Sequence, residues 1–199
     1  MPAKTDHEAR RREVSAAVWR VLATEGFGGL TLRAVAAEMG ATTGLLTHYF
    51  PSKRALVVHA LEVAEAHTRA LSPDTGDSSG IAALRTALAG VLPVTPELIE
   101  ISRVWVSSWD ASLADDELTR SERARYRRWR ARLRPLVVEA QDHGDLPPGD
   151  PADLVAGLAA FAHGLVVQAL FDPRTFPRKR LLAQLDSHLE ALRPKKPRS

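Results

Sequence analysis

The chain has 199 residues, 45% of them hydrophobic and 26% charged, enough to bury a core as one large domain or two small ones. It contains no cysteine, which excludes disulfides, thiolate metal sites and a cysteine nucleophile and accords with a reducing, cytoplasmic setting. A net charge of +3 is too mild to name a nucleic-acid partner, yet residues 1–60 carry eight Lys or Arg against five acids, an excess equal to that of the whole chain.

The N-terminus lacks the apolar core of a signal peptide, and no uncharged apolar run of about eighteen residues occurs, so no membrane span is expected. The pattern is helical nearly throughout. Val14, Ala17, Val18, Val21 and Leu22 recur at three and four, predicting a first helix over about 6–25 that Gly26, Gly28 and Gly29 end. Thr31 is an N-cap for a second helix with Leu32, Val35, Ala36 and Met39 on one stripe. Gly40 supplies a tight turn, and Thr42 or Thr43 caps a third helix whose Leu46 and Phe50 point inward. After Pro51 and Ser52 a fourth helix runs to about Leu71, with Leu56, Val57, Ala60, Leu61 and Ala64 on its buried side. Residues 72–80, rich in turn formers, read as a linker. Five more helices are predicted at about 80–92, 96–114, 117–143, 151–171 and 176–192, with breaks at Gly144, at Pro147 and Pro148, and at Asp172 and Pro173. The predicted class is therefore all-α with about nine helices, and residues 193–199 read as a disordered basic tail.

Two short helices around a glycine turn, the second kept small and polar outside, is the build of a helix-turn-helix, which lays its second helix in the DNA major groove. Residues 32–56 resemble the N-terminal domain of TetR-type regulators. Within them residues 40–56, with Gly40, Gly44, then His48, Tyr49 and Phe50, then Ser52 and Lys53, are especially similar to the branch of choline-responsive betaine repressors. Trp105 with Trp109, and residues 157–164, echo that branch more loosely. The resemblance implies an all-helical homodimer with a DNA-binding head at residues 1–51 and an effector-binding and dimerisation domain at 52–192. One departure is visible: many members of the family carry tyrosine where this chain has Thr47.

Phosphate contacts position such a head and base-edge contacts give it sequence preference. Thr42 and Thr43 lie at the N-terminus of the third helix, where free N–H groups favour a phosphate. Gly44 has no side chain and lets the helix approach the groove floor. Thr47 and His48 are the expected base readers, the threonine methyl being able to meet a thymine methyl. Arg33, Lys53 and the hydroxyl of Tyr49 resemble family positions that grip the DNA backbone. Leu45 is either core or an apolar contact to thymine.

Farther along, Arg120, Arg123, Arg125, Arg127, Arg128, Arg130, Arg132 and Arg134 surround Tyr126, Trp129 and Leu133. Such a run is either a second nucleic-acid or anionic-membrane surface or a solvated helix face, and the solvated face is the commoner case. Trp105 and Trp109, one turn apart with Asp110 beside them, either hold a quaternary ammonium ligand by cation–π attraction or fill the core. Phe161, His163 and Gln168 are further effector-pocket candidates, although a lone histidine on an apolar helix is more often a core residue. Wide apolar stripes, with Leu154, Leu158, Leu165 and Leu170 on one helix and Leu185 and Leu189 on the next, are expected to pair across a two-fold axis.

No two of the seven histidines stand at i,i+4, and no nucleophile elbow or phosphate loop occurs, so no metal, cofactor or enzymatic activity is expected. The reading is a dimeric transcriptional regulator, a repressor that a small-molecule effector releases from a pseudo-palindromic double-stranded operator. A carrier or sensor that does not bind an operator, and a nonspecific architectural DNA binder, are the competing readings.

Overall fold

The computed structural model describes residues 3–76 and 78–194, with side chains from residue 8 onward. Among the described residues there are nine α-helices and no strands. They are α1 (Ala3–Gly29), α2 (Leu32–Glu38), α3 (Thr43–Tyr49), α4 (Lys53–Leu71), α5 (Gly80–Ala89), α6 (Pro96–Leu113), α7 (Asp116–Asp142), α8 (Pro151–Phe171) and α9 (Arg178–Leu192).

Most boundaries follow from local chemistry. Within α1 the helical course breaks at Gly26 (φ 65°, ψ −169°), a backbone that side-chain-bearing residues rarely adopt. The chain resumes a helical turn to Gly29 instead of stopping. The Thr31 hydroxyl accepts from the Ala34 N–H at 3.0 Å and starts α2. That helix closes on Gly40 at φ 61°, with Ala41 N–H to the Ala36 carbonyl at 2.9 Å and Gly40 N–H to the Ala37 carbonyl at 3.1 Å. This is a Schellman closure, and Gly144 ends α7 in the same way. Asp150 caps α8 by accepting from Ala152 N–H at 2.8 Å, with Pro151 at the first helical position.

Two boundaries differ from the periodicity, and a proline inside α7 leaves its course unbroken. α5 ends at Ala89, because the chain tightens into i→i+3 turns, although Leu92 beyond it is still buried. α9 starts at Arg178 because Pro177 holds an extended ψ of 161°. α7 continues through Pro135, which leaves the Ala131 carbonyl without its usual i+4 donor.

The chain forms two compact units, Met1–Ala70 with Arg103–Leu118, and Leu71–Ser102 with Thr119–Ser199. In the first, Val18, Leu22, Leu30, Leu46, Leu56 and Ala60 are buried. Ser15 and the His59 ring meet at 3.1 Å, and Trp19 stacks on His67 at 3.7 Å, joining α1 to α4. Phe27 N–H donates to the Ser107 hydroxyl at 3.3 Å. In the second unit, Leu84, Leu88, Leu133, Val137, Leu158, Leu181 and Leu185 are buried. Arg85 holds Asp186 through two bonds, at 2.5 and 3.0 Å, joining α5 to α9.

Two expectations need correction. By length and composition α8 could cross a membrane, but seven of its residues, Leu158 and Leu165 among them, are buried in the fold, as in the core helix of a globular domain. Of the expected tail, Arg193 pairs with Asp145 and Glu190, both at 3.4 Å, and residues 195–199 lie outside the described residues.

Candidate functional site

Helix α3 is short, and its sequence divides cleanly between inside and outside. Leu46 is buried within it and Phe50 just after it, which anchors one face. Thr42, Thr43, Gly44, Thr47 and His48 are all exposed, and Leu45 and Tyr49 are half-buried. Arg33 on α2 and Lys53 at the start of α4 are exposed as well. Thr42 is the N-cap residue by backbone geometry (φ −85°, ψ 149°), yet its hydroxyl makes no capping bond. The Ser52 hydroxyl, by contrast, accepts from Ala55 N–H at 3.1 Å and caps α4.

Two contacts and a glycine define the chemistry of this face. The Thr47 hydroxyl donates to the Gly44 carbonyl at 2.8 Å. A hydroxyl has one proton and two lone pairs, so Thr47 is left as an acceptor with a methyl group beside it. A Cβ placed on Gly44 would meet only the Thr42 hydroxyl oxygen, at 3.9 Å, so nothing inside the chain requires glycine there. The His48 and Tyr49 rings stand edge to face at 5.9 Å. Behind them Arg20 on α1 holds Glu38 on α2 at 2.5 Å, tying the supporting helix to the first.

The effector-pocket candidates separate. Trp105, Trp109 and Asp110 belong to the first unit, and Phe161, His163 and Gln168 to the second. Trp105 is buried, and its Nε1–H donates to the Thr68 hydroxyl at 2.8 Å, which is a core role. Trp109 is half-buried, and its indole nitrogen is sealed from solvent with no hydrogen-bond partner among the described residues. Asp110 and Gln168 are exposed. Phe161 is stacked on His188 at 3.8 Å.

His163 stands in an aromatic cluster that its sequence neighbourhood does not announce. Tyr126 and Trp129 of α7 meet its ring edge to face at 5.2 and 4.9 Å, and its Nδ1 lies 2.9 Å from the Ala159 carbonyl. Burial pushes the imidazole below its ordinary range; the Ala159 bond partly opposes this, and the nearby Arg125 charge adds to it. Glu122, buried on the same helix, is held by Arg125 at 2.8 Å, and the Arg125 guanidinium lies 4.4 Å over the Tyr126 ring. Tyr126 and Trp129 sit inside the arginine run, where charge masked their i,i+3 aromatic spacing.

The residues expected at a dimer surface are largely internal. Leu158, Leu165, Leu185 and Leu189 are buried within the chain and Leu154 and Leu170 are half-buried. A stripe cannot line the chain's own core and also face a second copy. Beyond its first turn, where Ala152 and Asp153 are exposed, α8 leaves exposed Ala156, Gly157, Ala160, Gly164, Gln168 and Phe171, the last 80% accessible.

Residues 80–194 match the family described as the C-terminal domain of BetI-type transcriptional repressors, and residues 15–60 match the tetR family of bacterial regulatory proteins. The chain is 27% identical to the HTH-type transcriptional regulator BetI of Burkholderia thailandensis, over 96% of this chain and 97% of that one. It is 26% identical to the HTH-type transcriptional regulator PksA of Bacillus subtilis, over 96% and 94%. Among solved structures, a transcriptional regulator from Saccharomonospora viridis in complex with choline superposes with a TM-score of 0.82 at 21% identity, covering 95% of this chain and all of that one. A transcriptional regulator from Rhodococcus superposes with a TM-score of 0.80 at 21% identity, covering 91% and 94%.

Proposed function

The chain belongs to the TetR family of DNA-binding transcriptional regulators, with a C-terminal domain of the BetI type, and from that premise we propose that it is a homodimeric repressor released from a pseudo-palindromic operator by a small organic effector. The observation that carries this reading is the outer face of α3. Thr42, Thr43, Gly44, Thr47 and His48 are exposed together on a helix anchored by Leu46. His48 and the Thr47 acceptor and methyl read base edges, and Gly44 lets the backbone close on the groove. Arg33, Lys53 and Tyr49, with the Thr42 and Thr43 hydroxyls, hold phosphates. In this division residues 1–51 read DNA and 52–192 bind the effector and pair the subunits.

Pairing is assigned to the small-residue face of α8, from Ala156 and Gly157 through Gly164 to Phe171, instead of the buried leucines. Two heads related by that axis read two half-sites about one helical turn, or a multiple of it, apart. The effector reading draws on the choline held by the Saccharomonospora regulator and on the aromatic cluster of Tyr126, Trp129 and His163. An organic cation suits those rings by cation–π attraction. Because α6 and α7 each supply residues to both compact units, a shift in these helices is a covalent route to the head. A coupling of about 1–3 kcal/mol weakens the operator complex about five- to 150-fold.

The test is a footprint on the DNA flanking the gene, repeated by anisotropy with choline added. A protected pseudo-palindrome whose affinity falls as choline rises supports the whole reading. Operator affinity unchanged at saturating choline removes choline as effector, and no protection at all removes the operator.

A further inference from the structure

The head is not where the positive charge of this molecule is concentrated. Between Thr119 and Arg134 eight arginines stand against one acid, Glu122, so this window carries +7; with a total of +3, the remaining residues sum to −4. Five of these arginines, Arg120, Arg123, Arg127, Arg130 and Arg134, follow one another at alternating steps of three and four residues. That spacing puts them on one face of α7, and all five are exposed. At a rise of 1.5 Å per residue the row is about 21 Å long.

The ordinary accounts of a charged helix do not fit this row. A solvated face interleaves opposite charges at i,i+4; in this row only Arg120 has an acid at that spacing, Asp116, while Arg123 with Arg127 and Arg130 with Arg134 are like-charge pairs that oppose helix formation. Glu122 does not relieve them, being buried and held by Arg125, which itself lies off the row over Tyr126. A membrane-surface helix needs a free apolar face, but Trp129, Leu133, Val137 and Ala140 are buried in the fold. The basic residues of this window are all arginine, whose planar fork suits phosphate oxygens better than a point charge does.

We propose that the outer face of α7 is a second nucleic-acid surface, on which the arginine row holds the phosphate backbone of a duplex regardless of sequence. Laid along the duplex axis, the row meets about six phosphates of one strand. Backbone charge then replaces the mutual repulsion of the arginines, with release of counterions. This surface works through phosphates alone, and so it does not depend on what the head reads.

Affinity of the full-length chain for a random-sequence duplex, measured by anisotropy over a salt series, tests it. Three proteins are compared: the wild type, the triple variant Arg123→Gln, Arg127→Gln and Arg130→Gln, and the head variant Thr47→Ala with His48→Ala. Glutamine matches arginine in helix propensity and removes repulsion, so the melting temperature of the triple variant is not expected to fall. Its slope of log K against log salt is expected to shrink by about 0.9 for each arginine removed. The three matching Arg→Lys changes restore the slope. The head variant keeps its slope and loses only its preference for operator over random duplex, so failure of the operator reading shows separately. A wild-type slope in the glutamine variant overturns the proposal. So does arginine-dependent binding to polyglutamate or to phosphatidylglycerol vesicles in place of duplex, which would assign the row to an acidic protein or a membrane.

Discussion

Helices α3 and α8 expose their surfaces for opposite reasons. In α3, seven residues long, Leu46 alone is buried, and the outward side carries hydroxyls, an imidazole and a glycine that no internal contact demands. In α8, 21 residues long, seven residues are buried, and the outward side is mostly alanine and glycine, with Phe171 at its end. The first presents hydrogen-bonding groups of fixed direction, suited to base edges. The second presents a smooth surface on which another helix can approach closely. A polar outer face therefore declares its partner's chemistry, whereas an apolar stripe does not say whether it lines the chain's own core or a neighbour.

The largest effect that would break this contrast is expected at Leu46. Replacing this fully buried side chain with alanine should cost about 2–5 kcal/mol in a thermal or denaturant melt of the head, with operator binding lost alongside. A wild-type melt would mean that α3 is not anchored from within. At Gly44 stability and binding should part. Gly44→Ala meets only an ordinary contact with the Thr42 hydroxyl and should stabilise α3 by up to about 1 kcal/mol, while operator affinity falls about tenfold because the new methyl group stands on the outer face. His48→Ala sharpens the same point, removing about 1–3 kcal/mol of preference for operator over random duplex and little of the nonspecific affinity.

On α8 the matching test is Gly164→Arg. A Cβ at Gly164 meets nothing within 4 Å, so the subunit should fold normally, and sedimentation should show monomers for the variant and the proposed dimer for the wild type. A dimer that survives this change would move the pairing face elsewhere. The smallest effect concerns His163. Its lowered pKa means that the folded chain favours the neutral ring, so its contribution is complete above the ordinary value of 6.5 and is lost as pH falls from there towards the depressed folded value. His163→Gln should flatten the acid limb of the stability profile below about 6.5. Burial acts in the same direction on His59 and His188, so only part of the limb should vanish.

Much of the head was legible before folding, because its signals are local. Thr31 caps α2, Gly40 closes it in the left-handed region, and Leu46 and Phe50 turn inward, each decided within a few residues. The exposure of Thr47 and His48 follows from the same helical period. The C-terminal unit was legible only as helices. Their ends came within about three residues, but Leu158, Leu165, Leu185 and Leu189 have the same period whether a core or a partner covers them. The clustering of His163 with Tyr126 and Trp129 joins residues more than thirty positions apart across two helices, and no local spacing encodes it.

From amino-acid order alone follow the all-helical class, the caps and turns, the motif of the head and its kinship, since each depends on backbone preferences and side-chain period within a few residues. Only the tertiary structure decided which apolar stripe is interior, that Trp105 is committed to Thr68 while the Trp109 indole nitrogen lacks a partner among the described residues, and that five arginines of α7 stand in one exposed row. Those outcomes depend on which distant surfaces come to cover one another, and burial is a property of the packed chain and not of any residue within it.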